Sequence, residues 1–269
     1  MNKTISSKRI HDFQNKVFDW WSLNRREFPW RETTNPYYIM VSEVMLQQTQ
    51  ASRVKKKYID FIKKYPTLED LAEAKKTDLV ATWSGLGYNR RAFWLQEAAK
   101  QIIEMKSFPR TVQELQELKG IGKYSARSIL IFAFNTNLAT VDTNIRRILI
   151  SESFASEETS EKELFEIAEK LVPEGNARDW ANALMDYGAV ELTANKTGIK
   201  PTSKQSKFAG SDRQYRGKIL KILLQRKKIT LNKIQEELKL SEERITKILQ
   251  KMIKDGLVFT KNNHFFIEE

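Results

Sequence analysis

A glycine turn in the middle of the chain is the first feature that could do chemistry. Gly120 and Gly122 flank Ile121 between a leucine-rich helical pattern and the apolar run of residues 129–134. Glycine tolerates positive φ and lets a partner approach the backbone closely. A helix that opens directly after such a turn presents free backbone N–H groups and the positive end of its dipole. With Lys123 beside it, the turn predicts a phosphate-binding seat, although a G-x-G pattern alone also fits a plain corner between two helices.

Two carboxylates have functional as well as ordinary explanations. Asp142 follows an apolar run and precedes Ile145 and Ile148 at helical spacing, so its simplest role is that of a helix N-cap. Glu43 lies beside the apolar stripe of a predicted helix and could simply face solvent. The functional interpretation of Asp142 rests on its position shortly after the glycine turn.

The charge of the chain is strongly positive and unevenly distributed. The 269 residues carry a net charge of +12 and have a pI near 9.6, which is typical of nucleic-acid binders, although solubility alone also explains a basic composition. Residues 193–269 hold 18 Lys and Arg against 8 Asp and Glu, whereas residues 1–192 hold 28 against 26. The C-terminal quarter is therefore predicted to grip a polyanion, and the reaction chemistry is expected in the rest.

Several classes of site are excluded by what the sequence lacks. It contains no cysteine, which rules out disulfides, thiolate zinc sites and cysteine-ligated iron–sulfur clusters. It has no apolar run of membrane-spanning length and no signal-peptide pattern. We expect a monomeric, cytoplasmic, nucleoid-associated protein without a membrane partner, metal or cofactor.

Residues 1–192 are predicted to be helical throughout, because their apolar residues recur at helical spacing and no segment alternates with a period of two. Asn35 and Pro36 open one helix, a basic helix runs to Lys64, and Thr111 caps a later one. The other helices are predicted within residues 1–24, 67–83, 90–105, 145–154, 160–171 and 177–191.

Residues 193–269 differ in character. Residues 193–211 carry four lysines and no acid and are predicted to form a basic linker. Residues 212–269 contain three helical patterns, of which Thr230 caps the second and Ser241 the third. Two alternating stretches around residues 261–263 then predict a β-hairpin. Three helices and a hairpin resemble a winged-helix domain, which typically places a helix in the DNA major groove but can also bind proteins.

Five motifs occur in the order found in adenine DNA glycosylases of the MutY type, which belong to the helix-hairpin-helix superfamily of base-excision enzymes. They are Phe28-Pro29-Trp30-Arg31, Val41-Ser42-Glu43-Val44-Met45-Leu46-Gln47-Gln48-Thr49-Gln50, Gly85-Leu86-Gly87-Tyr88, the glycine turn and Val141-Asp142-Thr143-Asn144. The resemblance covers about residues 13–192. It implies an all-α fold with a six-helix subdomain over about 30–135 and a second helical subdomain formed by 1–29 and 136–192. The winged helix at 212–269 completes the chain.

The resemblance also implies roles for individual residues. Glu43 would protonate the departing purine and then handle the attacking water, Asp142 would stabilise the positively charged sugar, and Asn144 would orient these groups. Tyr124 occupies the place of the lysine nucleophile of bifunctional relatives, so no β-lyase activity is expected. The remaining implied contacts are the pocket residues Trp30 and Arg31, the duplex wedges Gln48 and Tyr88, the base-contacting Asn182, and the DNA-binding residues Gly120, Gly122 and Lys123.

These residue types suit the implied reaction. An N-glycosidic bond breaks through an oxocarbenium-like state, for which one acid and one carboxylate are the usual solution. Burial of Glu43 against Met45 and Leu46 would raise its pKa, so that it holds a proton near neutral pH. The base must leave the helical stack to reach the catalytic groups, which explains the need for wedges.

Three features depart from the family's pattern. The cysteines that hold an iron–sulfur cluster in the family are replaced by Leu192, Ile199, Thr202 and Phe208, so a small apolar contact is predicted there. Asn182 replaces a glutamate that contacts the adenine amine; an asparagine can pair with the N6/N7 edge of adenine but also suits another base. The winged helix replaces a larger C-terminal domain that senses 8-oxoguanine, so recognition of oxidised guanine is not implied.

Three functional hypotheses follow. The leading one is a monofunctional glycosylase that removes adenine mispaired with guanine or 8-oxoguanine in double-stranded DNA. The second is the same chemistry acting on uracil or thymine, for which Asn182 and Tyr124 leave room. The third is a non-catalytic DNA-binding regulator that uses the winged helix, and the presence of both Glu43 and Asp142 argues against it.

Overall fold

The computed structural model describes residues 5–200 and 207–268. These residues form fifteen α-helices, a single turn of 3-10 helix at Pro29–Arg31 and three short strands. In chain order the helices are α1 (Ser7–Asn24), α2 (Pro36–Leu46), α3 (Ala51–Lys64), α4 (Leu68–Ala72), α5 (Lys76–Trp83), α6 (Arg90–Met105), α7 (Val112–Glu117), α8 (Lys123–Phe134), α9 (Thr143–Ser151), α10 (Glu161–Lys170), α11 (Ala177–Val190), α12 (Ala194–Thr197), α13 (Asp212–Arg226), α14 (Leu231–Leu238) and α15 (Glu242–Lys254). The strands are β1 (Lys228–Thr230), β2 (Phe259–Lys261) and β3 (His264–Phe266). The predicted helical protein with a C-terminal module of three helices and a hairpin is confirmed.

Local capping signals set many of the helix ends. The Asn35 side chain accepts the Tyr37 N–H at 2.9 Å, and Pro36 occupies the first helical position, where its missing N–H costs nothing. Ser241 likewise caps α15 by accepting the Arg244 N–H. These contacts span two and three residues in sequence, which is why the sequence pattern located these boundaries.

The prediction of a single helix over residues 67–83 is wrong, because the helix is interrupted between α4 and α5. The buried side chain of Gln96 on α6 donates hydrogen bonds to the carbonyl oxygens of Leu71, Ala72 and Ala74, at 3.1, 3.3 and 2.7 Å. Carbonyls at a helix C-terminus have no partner within the helix, and this amide supplies one. The break is therefore stabilised by a residue distant in sequence.

The described residues divide into two compact units. The first unit is drawn from Met1–Met40, Arg110–Glu117 and Ile121–Lys204, and the second from Val41–Pro109, Leu118–Gly120 and Gln205–Glu269. This division differs from the predicted subdomains, since α8 packs on α11 in the first unit instead of joining the helices of residues 41–109. The subdomain boundaries near residues 30 and 135 stay a prediction.

In the first unit, α11 packs against both α1 and α9. Phe13 of α1 meets Trp180 of α11 edge to face, with ring centroids 5.6 Å apart. On the other side, a Cβ added to Gly188 would lie 3.0 Å from the Asn144 Cβ and 3.1 Å from the Ile148 Cδ1. The glycine thus allows α9 and α11 to approach closely, and this contact positions the start of α9.

In the second unit, α4 packs on α6, and α13 of the winged-helix module packs on α5. The three strands form an antiparallel sheet in the order β1-β3-β2. Strand β1 was not predicted: Thr230 ends it and precedes α14 without making the expected side-chain cap. A strand of three residues is too short to show a period of two, so its pairing with β3 is visible only in the fold.

The predicted linker is partly helical, because Thr193 accepts the Lys196 N–H and starts the short helix α12. Residues 201–206 of that predicted linker lie outside the described residues. Among residues 5–200 and 207–268, no helix is both long and apolar enough to cross a membrane.

Candidate active site and DNA-contact loops

Asp142 is the N-cap of α9, and its carboxylate is held from two sides. One oxygen, Oδ1, accepts the Ile145 N–H at 2.7 Å, and the other, Oδ2, accepts the Asn144 side-chain amide at 3.2 Å. The capping role considered from the sequence is therefore real. It does not exclude a catalytic role, because the cap fixes the orientation of a carboxylate that remains partly exposed.

Arg147 holds Asn144 in place, one turn further along α9. Its Nη2 donates to Asn144 Oδ1 at 2.6 Å and to the Gly188 carbonyl oxygen at 2.7 Å, and its Nε donates to the Leu192 carbonyl oxygen. The C-terminal end of α11 thus fixes Arg147, Arg147 fixes Asn144, and Asn144 orients Asp142. Arg147 was not among the predicted site residues, although its spacing of three residues from Asn144 places both on one helix face.

Burial raises the pKa of Asp142 above its ordinary value. The backbone N–H groups of Ile145 and Asn144, the Asn144 amide and the positive charge of Arg147 all lower that pKa, but they do not reverse the effect of burial. An incompletely compensated negative charge in a low-dielectric environment interacts strongly with a cation that approaches it.

Asp186 of α11 is surrounded by cationic groups. Its side chain is 0% exposed, Arg31 approaches it with Nη1 at 2.8 Å and Nη2 at 2.9 Å, and the Arg26 Nε lies at 2.6 Å. Trp21 Nε1 donates a further hydrogen bond at 3.0 Å. Arg31, predicted to line the substrate pocket, is thus engaged in a buried ion pair, and a substrate contact by it stays a prediction.

Trp30 and Asn182, two further residues predicted to contact substrate, are buried. Trp30 stacks on Phe28 with a centroid distance of 4.8 Å and an interplanar angle of 6°. Asn182 lies on α11, and its side-chain amide makes no hydrogen bond to any residue among those described. An amide that is buried without a protein partner is available to pair with a ligand.

Glu43 lies in the middle of a buried helix segment. Residues 39–45 of α2 are all buried, and Glu43 itself is 8% exposed. The possibility that this carboxyl group faces bulk solvent is therefore wrong. Because α2 is buried on all sides over these residues, the single apolar stripe expected from the sequence is also too narrow a description.

The glycine turn joins α7 to α8, as predicted, but its two glycines serve different purposes. Gly120 has φ +81°, and an added Cβ would lie 2.8 Å from the Trp94 Cβ, so both conformation and space require glycine. Gly122 caps α8 with φ −91°, and nothing lies within 4 Å of an added Cβ. Gly122 is exposed, and the predicted phosphate contact at the start of α8 stays a prediction.

Lys123 and Tyr124 lie in the first turn of α8. The Lys123 ammonium lies 4.7 Å from the ring centroid of Phe165, a cation–π contact that fixes it near the start of the helix. The predicted contact of Lys123 with a DNA backbone and the predicted position of Tyr124 near the sugar stay predictions.

Two loops of the second unit, residues 47–50 and 84–89, are held together by Arg91. We call them the wedge loops because they carry Gln48 and Tyr88, whose role as duplex wedges stays a prediction. Gln48 and Tyr88 in these loops have φ of +55° and +47°, which is uncommon for residues other than glycine. The buried Arg91 guanidinium spans both loops. It donates to the carbonyl oxygens of Val44, Met45, Gln47 and Gly87 and to Thr49 Oγ1, at 2.6 to 3.1 Å.

Arg91 stays charged at neutral pH, because burial lowers its pKa only to about 10. Arg91 was predicted to lie near the start of a helix, but not to have a function. No local pattern could have revealed the role, since its acceptors lie up to 47 residues away.

The region where relatives would carry cluster ligands contains a different arrangement. Leu192 packs on the core of the first unit, whereas Phe208 is 55% exposed and lies 5.5 Å from the Arg213 guanidinium. The predicted apolar contact among these positions is thus wrong for Phe208, and Thr202 lies outside the described residues. Within the described residues, no group of three or more His, Cys, Asp or Glu side chains could hold a metal ion.

Comparisons with known proteins give this geometry a family. Residues 41–174 match the profile of HhH-GPD superfamily base excision DNA repair proteins, and residues 212–258 match that of winged helix-turn-helix DNA-binding domains. The chain is 34% identical over 197 residues to the thymine/uracil-DNA glycosylase of Methanothermobacter thermautotrophicus, covering 71% of this chain and 89% of that protein. It is 35% identical over 231 residues to the adenine DNA glycosylase of Mycolicibacterium smegmatis, covering 77% and 79%.

The fold is also similar to that of a thermostable thymine-DNA glycosylase, with a TM-score of 0.65 and 33% identity over 71% of this chain and 90% of the other. The chain therefore belongs to the HhH-GPD superfamily of base-excision DNA repair proteins. Within that superfamily it is a DNA glycosylase, and its adenine-specific and thymine- or uracil-specific relatives are about equally similar to it.

Proposed function

We propose that this protein is a monofunctional DNA glycosylase that removes adenine mispaired with guanine or 8-oxoguanine. The observation that carries the proposal is the burial of Glu43, a carboxyl group 8% exposed in the middle of α2. Adenine leaves readily only after a ring nitrogen is protonated, whereas uracil and thymine leave as anions stabilised by two carbonyl groups. A buried acid is therefore more valuable to an enzyme that acts on purines.

In the proposed reaction, Glu43 donates a proton to the adenine ring while the bond between sugar C1′ and base N9 breaks. The oxocarbenium ion that forms is stabilised by the Asp142 carboxylate. Glu43 then accepts a proton from water as the water oxygen bonds to C1′. The products are free adenine and an abasic site, and one water molecule is consumed.

Asn182 supports recognition of a flipped base. Its buried amide makes no hydrogen bond to the described residues, and an asparagine amide can bond in a bidentate manner to N6 and N7 of adenine. The same amide can also pair with the edge of uracil or thymine. Together with the 34% identity to a thymine/uracil-DNA glycosylase, it makes excision of these pyrimidines the second candidate function.

The deciding experiment is a base-release panel. Duplexes carrying A, U or T opposite G or 8-oxoguanine are incubated with the wild type and Glu43→Gln, and free base is quantified by chromatography. We expect release of adenine, and a loss of about 10²- to 10⁴-fold in Glu43→Gln. Release of uracil or thymine that is insensitive to Glu43→Gln would establish the second function. Release of no base from any duplex would overturn both.

We also propose that the enzyme lacks β-lyase activity. Tyr124 stands where bifunctional relatives carry a lysine, and a phenol cannot form the Schiff base that precedes strand cleavage. Borohydride added during turnover should therefore trap no covalent protein–DNA adduct, and abasic product should stay uncleaved until alkali is added. A trapped adduct would show that another amine of the chain supplies the nucleophile.

A further inference from the structure

A cleft of about 550 Å³ lies between the wedge loops and helix α13 of the winged-helix module. Both walls belong to the second unit. One wall carries Gln48 and Tyr88, and the other carries Arg213, Gly217 and Lys218. The helix that lines the cleft is the first helix of the module, whereas a winged-helix domain usually places its third helical segment in a DNA groove.

The cleft is strongly cationic. Arg53, Arg213, Lys218 and Lys221 all line it, and none of its lining residues within the described part of the chain is Asp or Glu. Four positive charges around one cavity repel one another, and a polyanion that enters would relieve this repulsion and release its counterions.

Aromatic rings and a guanidinium form one end of the cleft. The Arg213 Cζ lies 5.1 Å from the ring centroid of Tyr88 and 5.5 Å from that of Phe208, and Arg213 also donates a hydrogen bond to Tyr88 Oη. Flat cationic and aromatic groups are the surfaces on which unpaired bases stack.

Gly217 keeps the cleft open on the α13 side. It lies in the interior of α13, where glycine is among the poorest helix formers, and nothing lies within 4 Å of a Cβ added there. No neighbouring group therefore requires a glycine at this position. Any larger residue would reach into the space between the helix and the wedge loops.

Ion pairs fix the module beside the wedge loops. Asp255, which follows α15, accepts from Arg90 of α6 at 3.0 Å and pairs with Arg216 of α13. Lys76 of α5 pairs with Glu268 near the C-terminus. Because the module is tied to α5 and α6 in this way, the cleft is part of the folded second unit.

We propose that this cleft binds an unpaired DNA nucleotide together with its flanking phosphates, so that α13 is part of the glycosylase's own DNA clamp. The proposal rests on the proposed function in one respect: flipping a base out of a duplex is what leaves a nucleotide unpaired. Arg213, Lys218 and Lys221 contact phosphates or stack on the base, and Gly217 provides the room.

The test compares two duplexes by fluorescence and anisotropy. In the first, 2-aminopurine stands opposite a stable tetrahydrofuran abasic analogue; in the second, it is paired with thymine. The wild type should bind the first duplex more tightly and change its 2-aminopurine emission. Gly217→Met should reduce this preference at least tenfold and abolish the emission change, while the thermal stability of the protein is unchanged or raised.

A matched pair of charge variants separates the cleft from the usual recognition helix. Lys218→Ala/Lys221→Ala removes two exposed charges of the cleft, and Lys247→Ala/Lys251→Ala removes two exposed charges of α15. We expect the cleft variant to lower the slope of log affinity against log salt by roughly one to two on the first duplex. The α15 variant should weaken binding to both duplexes equally.

The proposal is overturned if Gly217→Met and the cleft variant bind both duplexes as the wild type does. It is equally overturned if the preference for the unpaired nucleotide is lost only in the α15 variant. The readouts are affinity and 2-aminopurine emission and not base release, so failure of the proposed adenine chemistry would leave the binding result intact. A wild type that binds normally but releases no adenine would refute only the proposed function.

Discussion

Asp142 and Asp186 are two acidic groups of the same unit with opposite surroundings, the first partly exposed and the second fully buried. Asp186 is enclosed by the guanidinium groups of Arg26 and Arg31. Asp142 accepts hydrogen bonds from a backbone N–H and a neutral amide, and Arg147 reaches it through Asn144. Burial alone would raise the pKa of either group. The arginines hold the pKa of Asp186 below its ordinary value, whereas the pKa of Asp142 stays raised.

This difference separates a structural carboxylate from one suited to catalysis. The negative charge of Asp186 is already neutralised by two arginines, and its carboxylate also accepts a hydrogen bond from an indole N–H. It therefore stabilises the fold and is not available to a substrate. The charge of Asp142 is oriented but not neutralised, which is the arrangement that stabilises a cation formed during a reaction.

Asp186→Asn should destabilise the fold most. It leaves the guanidinium groups of Arg26 and Arg31 without their counter-charge, and breaking a buried ion pair typically costs about 3–5 kcal/mol. Urea unfolding measures this loss, with Asp179→Asn, an exposed position of the same helix, as the control within about 0.5 kcal/mol. Because the pKa of Asp186 is lowered, the stability that its charge contributes is present above the ordinary pKa value and is lost as the pH falls. The difference in unfolding free energy between Asp186→Asn and the wild type should therefore disappear in acid. A gap independent of pH would contradict the ion-pair account.

Arg91→Met should cost about 2–4 kcal/mol of unfolding free energy, because several buried carbonyl oxygens of the wedge loops lose their donor. This variant tests a buried cation, Arg91, whose charge stabilises the fold as that of Asp186 does. The neighbouring Arg90→Met is the matched control: its side chain is 43% exposed and pairs with Asp255, so a loss below about 1 kcal/mol is expected. Equal losses in the two variants would show that the buried contacts of Arg91 do not fix the loops.

Arg147→Lys should change the pH dependence of the base-release rate more than it changes the maximal rate. Lysine keeps the charge but loses the fork that holds Asn144, so the pKa of Asp142 should rise further. Only ionised Asp142 stabilises the cation, so the acid limb of the single-turnover rate should move to higher pH. We expect an about tenfold loss of rate on the acid side, which vanishes well above the pKa. Arg146→Lys, at the adjacent position, should leave the profile unchanged; an equal shift there would remove the special role of Arg147.

Asp142→Asn should have the smallest effect on stability. Asparagine is an equally good N-cap, and the raised pKa means that wild-type stability declines as pH rises through the folded-state value. At neutral pH the variant should be as stable as the wild type or up to about 1 kcal/mol more stable, and this difference should shrink as pH falls. Denaturant unfolding between about pH 4 and 8 measures this difference in unfolding free energy. A variant much less stable than the wild type at neutral pH would show that the Asp142 carboxylate stabilises the fold.

The features that could be predicted from the sequence are those fixed by residues close to one another in the chain. The caps at Asn35 and Ser241, the glycine turn and the N-cap position of Asp142 all depend on residues within a few positions of one another. The break stabilised by Gln96, the pairing of β1 and the network of Arg91 depend on partners tens of residues away. The partners of Asp186 were invisible for the same reason, so Arg31 could be recognised in a motif but not as half of an ion pair.

The most direct test of the central claim is the single-turnover rate of adenine release by wild type and Asp142→Asn from the same mispaired duplex, with duplex affinity measured in parallel. The account predicts that the variant folds and binds the duplex as the wild type does but releases adenine at least about 10³-fold more slowly. Adenine release within tenfold of the wild-type rate would contradict it, because the unpaired charge of Asp142 would then do nothing for the reaction.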